Sequence, residues 1–136
     1  MKTDAKYPKP TAITFDRMFE RSWEVTEIVD NRKGFHIHVS ASENTKADFI
    51  IGFSAVYGYR NADEGSRSQY WKSLGGYLKS GCYEAAGSDF LDWAIYESLD
   101  KELPTGLRHF IVVTANDVID VLSFDEPEFT EDGAAA

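Results

Sequence analysis

The sequence predicts an α+β fold: a mainly antiparallel five-stranded sheet with helices over about residues 66–78 and 89–100 packed on one face. Three observations lead there. Residues 48–60 alternate with a period of two, placing Phe49, Ile51, Phe53, Ala55, Tyr57 and Tyr59 on one side. Residues 107–114 and 118–124 are two strongly β-forming runs around a short Asn-Asp turn. The helical patterns are grouped between strands instead of following each one, which favours an antiparallel sheet covered by helices over a βαβ arrangement.

Taken in order, residues 1–10 combine three Lys and two Pro with almost nothing to bury and read as a loose, disordered tail. Phe15, Met18 and Phe19 share a helical face, so a short helix is expected over 15–21 with Thr14 as its cap; an extended entry segment is the alternative. Residues 23–30 are rich in β-branched side chains, and Asn31 to Gly34 supplies a turn where glycine tolerates positive φ. Residues 35–41 alternate cleanly, with Phe35, Ile37, Val39 and Ala41 inward and His36, His38 and Ser40 outward. With 48–60 after another short turn, these runs form an antiparallel meander. The aromatic side of 48–60 is expected to be an inner ribbon beneath the helices, while Gly52, Ser54 and Gly58 leave the other side open to close approach.

Ser66 or Ser68 starts the first helix, with Tyr70, Trp71, Leu74, Tyr77 and Leu78 as its apolar stripe. Gly75 and Gly76 cost that helix about 1 kcal/mol each relative to alanine and mark where it breaks. Residues 79–87 read as a loop. Ser88 caps the second helix, 89–100, and Asp89 sits in the first turn, where the helix dipole favours an acid. The first strand of the closing hairpin is apolar on both faces at Ile111, Val112 and Val113, so it is expected to be central. Residues 130–136 read as a second disordered tail. No repeat or long linker divides the chain, so 1–136 reads as a single globular domain.

Composition narrows the partners. Fourteen basic against 23 acidic residues give a net charge of −9, which repels phosphate backbones and favours a basic partner. Aromatic residues make up 14% of the chain, more than a small core needs, and Tyr and Trp are common at interfaces and in clefts. The single cysteine, Cys82, permits no internal disulfide and fits a reducing cytoplasm. No signal-like apolar run opens the sequence, and no stretch reaches the roughly 20 apolar residues a membrane helix needs. Neither nucleic acid nor membrane is therefore expected as a partner, and no cofactor motif is present.

Three constellations carry chemical potential. His36 and His38 point to the same side of one strand, but two imidazoles are short of a zinc site, and the wet face of a sheet accounts for them. No metal is expected there. The turn after residue 59 holds Arg60, Asp63, Glu64 and Arg67; Arg60 suits an anion and Glu64 an acid–base role. The plainer account has Asn61 or Asp63 capping the turn and Asp63 or Glu64 pairing with Arg67. Asp120 interrupts an apolar strand face, and His109 is its candidate partner across the hairpin.

The absence of a nucleophile or phosphate-loop motif directs the first expectation to a non-catalytic binding protein that docks on a macromolecular partner. In size and charge the chain resembles small bacterial immunity proteins that neutralise a basic toxin domain, with no motif matched residue by residue. The rim residues expected for that role are Tyr57, Tyr59, Arg60, Asp63 and Glu64. The second expectation is a small-ligand binder or enzyme with a cleft between sheet and helices. There Arg60, Glu64, His109 and Asp120 supply polar groups, and Tyr59, Trp71 and Trp93 supply walls. A homodimer through a sheet face or edge strand is compatible with either.

Overall fold

The closing hairpin is the centre of the protein. In the computed structural model, which describes residues 10–13, 22–40, 49–98 and 106–131, its strands are almost wholly buried on both faces. The described strands, numbered along the chain, are β1 (Thr11–Ala12), β2 (Glu24–Asn31), β3 (Gly34–Ser40), β4 (Phe49–Phe53), β5 (Val56–Asp63), β6 (Gly81–Ala85), β7 (Arg108–Val113), β8 (Asp117–Ser123) and β9 (Glu128–Glu131). Helix α1 spans Ser68–Leu74 and α2 spans Asp89–Ser98. Helices thus lie among mostly antiparallel strands, an α+β arrangement. No helix among the described residues is long and apolar enough to cross a membrane.

The strands form two antiparallel sheets, not one. The first has five strands in the order β1-β6-β7-β8-β5, and the second has four in the order β2-β3-β4-β9. Their facing sides share one core, in which Phe110, Val112, Ile119 and Val121 of the first sheet meet Phe35, Ile37, Val39, Phe49, Ile51 and Phe53 of the second. Rings knit it together: Phe53 lies 5.7 Å from Phe110, and Trp23 meets Phe49 edge-on at 5.0 Å.

The expected 48–60 strand breaks at Ser54 and Ala55, where the chain leaves the second sheet for the first. A strand of that length would extend about 43 Å at ~3.3 Å per residue, longer than strands of ordinary domains. Ser54 Oγ donates to Asp125 Oδ2 at 2.7 Å, and the Ala55 carbonyl accepts from Phe124 N at 3.0 Å, pinning the crossing. The inner aromatic ribbon therefore stops at Phe53, and Phe49, Ile51 and Phe53 face the opposing sheet instead of the helices. Tyr57 and Tyr59 are 41% and 39% exposed. Tyr57 falls at a register shift between Val56 and Gly58, which accounts for its failure to continue the buried series.

Other expectations need correction. Residues 81–85, read as loop, form β6 between β1 and β7, with Cys82 buried toward the second sheet and Tyr83 toward α1. A strand paired on both edges and covered on both faces loses the alternation that reveals a half-buried one. Helix α1 is shorter than 66–78: Gly75 closes it in the left-handed region at φ 84°, and Gly76 N donates back to the Trp71 carbonyl at 2.9 Å. Thr130 and Glu131, placed in a disordered tail, pair with Ile50 and Phe49 as part of β9. The helix expected over 15–21, residues 1–9 of the tail expected over 1–10, and residues 99–100 of the second helix lie outside the described residues, while Pro10 is buried.

The β2–β3 turn shows why glycine is needed at 34. Its φ is 126°, and a Cβ there would lie 2.9 Å from the Phe53 carbonyl oxygen. The outer face of the first sheet meets α1 through Tyr70, Trp71, Ile111, Val113 and Val118, and α2 through Phe90, Ala94 and Leu122. Between these two apolar clusters the same face turns polar.

Candidate functional site

Three neighbouring strand positions create the polar site. His109 of β7 and Asp120 of β8 project outward, one residue out of phase with the inward Phe110, Ile119 and Val121. Ile111 stands opposite Asp120, so His109 is its diagonal neighbour on the same face. On the other side, β5 pairs Arg60 directly with Asp120. Two more groups arrive from the helices: Arg67 immediately precedes α1, and Ser88 is the N-cap of α2.

Asp120 is fully buried and accepts three charge-assisted or polar contacts. Arg60 Nε donates to its Oδ2 at 2.9 Å and Arg67 Nη1 to the same oxygen at 2.8 Å, while His109 Nε2 meets Oδ1 at 2.7 Å. Burial by itself would raise the Asp120 carboxyl. The hydrogen bond and charge of His109 and the two guanidiniums outweigh burial and hold it down at about 2. Burial would lower Arg60, but Asp120 and the Asp89 carboxylate, 3.5 Å from Nη2, overcome this and raise it.

The chain of contacts continues from the far side of the imidazole. His109 Nδ1 lies 2.6 Å from Ser88 Oγ, which also accepts the Leu91 N–H at 3.2 Å. Aromatic rings back the charges: the Arg60 guanidinium lies 4.4 Å over Phe90, and that of Arg67 lies 4.5 Å over Tyr70. Phe90 also meets His109 edge-on at 5.7 Å. The result is a Ser88–His109–Asp120 line with two arginines anchored on its acidic end.

Both arginines border open space. A shallow cleft of about 460 Å³ is lined by Arg60, Asn61, Ser66, Arg67, Gln69, Tyr70 and Asp89. A second hollow, about 10 Å³, lies against Arg60, Arg67, Gly87, Ser88 and His109. Among the described residues, Arg67 hydrogen-bonds through one guanidinium nitrogen only, leaving donors toward the cleft.

The structure thus gathers Arg60, His109 and Asp120 and leaves the other candidates elsewhere. Asp63 caps the short 3₁₀ turn, accepting Gly65 N at 2.7 Å. Glu64 contributes a backbone carbonyl to the Trp71 indole N–H at 2.8 Å, and its carboxylate does not bond to Asp120, His109 or Arg60. Trp71 is a core residue, not a cleft wall, because the α1 stripe it belongs to is buried on the sheet. Tyr59 turns away from Arg60 and lies 4.2 Å from the Phe35 ring, while Tyr57 faces solvent. Arg67 bonds inward to Asp120, so the expected surface pair with Asp63 or Glu64 is replaced.

Sequence reasoning missed the contacts of Ser88 with His109 and of Arg67 with Asp120. Ser88 announces itself only as a helix cap, and Arg67 only as one charge in a charged turn. Their convergence depends on β6 being a strand, which delivers Ser88 to the edge of His109. His36 and His38 lie on the outer side of the second sheet, and no group of three metal-binding side chains occurs among the described residues. Comparison with protein-family models, with curated proteins and with solved structures yields no match.

Proposed function

We propose that the protein binds a small molecule bearing an oxyanion, a carboxylate or phosphate, in the cleft beside Arg60 and Arg67. One observation carries this reading: both guanidiniums are fixed from behind by a single buried carboxylate and border open space, Arg60 also pairing with Asp89 through Nη2. Anchoring removes most of the side-chain entropy a surface arginine loses on binding, so an incoming anion meets preorganised donors. Asp120 and Asp89 offset the two positive charges. Selection therefore rests on the fork geometry of the donors more than on net attraction. The chain acts as one cytoplasmic domain in this reading; its single cysteine, Cys82, is buried and permits no internal disulfide.

Titration with inorganic phosphate and with succinate, followed through the arginine Nε–H resonances, tests it. Saturable shifts at Arg60 and Arg67 in the millimolar range, weakened about tenfold in Arg67→Lys, are expected from loss of a planar fork. Absence of saturation with both anions overturns it.

A second reading, docking on a macromolecular partner without catalysis, is favoured by α2. Trp93, Ile95 and Tyr96 are 49%, 56% and 72% exposed there, beside Asp92 and Glu97. With a net charge of −9 this face suits a basic, partly apolar protein surface, as in an immunity-like inhibitor. Salt-sensitive binding of an alternating Lys–Leu peptide, lost in Trp93→Ala, supports it; a concentration-dependent dimer by light scattering points to self-association instead.

A further inference from the structure

We propose that Ser88 is a nucleophile activated by His109 and positioned through Asp120, and that the protein hydrolyses carboxylic esters bearing an anionic end. The start of α2 and the two strands of the closing hairpin, β7 and β8, deliver these groups. They form an unbroken line, Oγ to Nδ1 at 2.6 Å and Nε2 to Oδ1 at 2.7 Å. An ionised carboxylate only accepts, so His109 Nε2 carries the hydrogen that Asp120 receives. With one proton on the ring, Nδ1 is the acceptor and the Ser88 hydroxyl its donor. This is the polarity a general base needs to take a serine proton.

Two features complete the case. As the proton leaves, negative charge on Ser88 Oγ develops at the N-terminus of the ten-residue helix α2, already hydrogen-bonded to Leu91 N. The hollow against Ser88, about 10 Å³, has room for one oxygen atom and is bordered by Arg60 and Arg67. A carbonyl oxygen seated there meets guanidinium donors as its own charge develops. The wider cleft then takes the charged end of the substrate; that part alone rests on the oxyanion reading above.

In the reaction, Ser88 Oγ bonds to the carbonyl carbon while its proton passes to His109 Nδ1. The ester C–O bond breaks, and the alcohol leaves with that proton. Water gives a proton to the same nitrogen as it attacks the acyl-serine, the acyl–Oγ bond breaks, and Ser88 recovers the proton. One ester and one water become one acid and one alcohol.

Treatment of the folded protein with a neutral fluorophosphonate, read by intact mass and peptide mapping, is the direct test. One adduct per chain at Ser88 is expected, absent in Ser88→Ala and slowed at least about a hundredfold in His109→Gln. The wild-type labelling rate should vary with pH, as general-base catalysis does. The charged and titratable groups facing that ring are Asp120 from β8, Arg60 from β5, Arg67 and Tyr70 from the α1 side and Asp89 from α2. Asp120→Asn should alter this profile and not merely its height, as a positioning residue must. A folded wild type without a Ser88 adduct, a flat pH profile or an unslowed His109→Gln overturns the proposal. Inorganic phosphate separates the two ideas: Ser88 labelling without any phosphate binding refutes only the oxyanion cleft, and phosphate binding without labelling refutes only the nucleophile.

Discussion

Strands β7 and β8 have two buried faces built on opposite principles. The inner face, Phe110, Val112, Ile119 and Val121, meets another sheet through apolar contact alone. On the outer face, two apolar clusters flank His109 and a fully buried Asp120 held by two arginines. Apolar packing is non-directional and needs mainly the right volume. The polar cluster needs each donor to meet its acceptor, because a buried charge without a partner costs several kcal/mol. One β-hairpin thus carries a tolerant face that makes the fold and an exacting face that holds a site.

Neighbouring residues allow the sharpest contrast. Asp120→Asn preserves volume but leaves Arg60, Arg67 and His109 facing a neutral amide, and it should cost about 3 kcal/mol or more. Ile119→Val, one residue away on the inner face, removes a methylene and should cost about 1 kcal/mol. Urea unfolding of both variants measures the difference. Equal costs would mean that the outer face is held by packing, like the inner one.

Acid should separate the faces without mutation. The Asp120 pKa is held at about 2 in the folded protein, below its ordinary value of 3.8. The stabilisation it contributes is therefore complete above about pH 4 and is lost as pH falls toward 2, on the order of 2 kcal/mol in all. Ile119→Val should keep that acid-dependent loss, whereas Asp120→Asn should lack it. Urea midpoints between these pH values decide the matter.

The two faces also differed in how far they could be read from sequence. Alternation in 35–41 and the apolar runs at 107–114 and 118–124 identified β3, β7 and β8, because half-buried and doubly buried strands leave periodic or continuous apolar patterns. The same alternation suggested one strand over 48–60. Side-chain period reports burial, not the identity of the sheet that buries it, so the crossing at Ser54 and Ala55 was invisible. Asp120 and His109 stood out as interruptions of an apolar pattern. Ser88 and Arg67 interrupted nothing: a serine before a helix and an arginine in a charged turn have sufficient local explanations. Only the three-dimensional pairing of β5 and β7 with β8, and of β6 with β7, brings Arg67 to the Asp120 carboxylate and Ser88 to His109.

The smallest expected effect tests how far the exacting face reaches into the helix. Ser88→Ala removes both the N-cap acceptor for Leu91 and the partner of His109 Nδ1, and should cost about 1 kcal/mol. Ser88→Gly also removes the hydroxyl, but glycine is itself a fair N-cap and should sacrifice only about a few tenths of a kcal/mol of capping. If capping is all that Ser88 provides, Gly at 88 is clearly milder than Ala. If the polar line is one unit with α2, Ser88→Gly loses the contact to His109 as well and costs about 1 kcal/mol despite its adequate cap. A loss of that size would place the first turn of α2 with β7 and β8 in a single charged assembly, and a loss of only about a few tenths of a kcal/mol would end that assembly at His109.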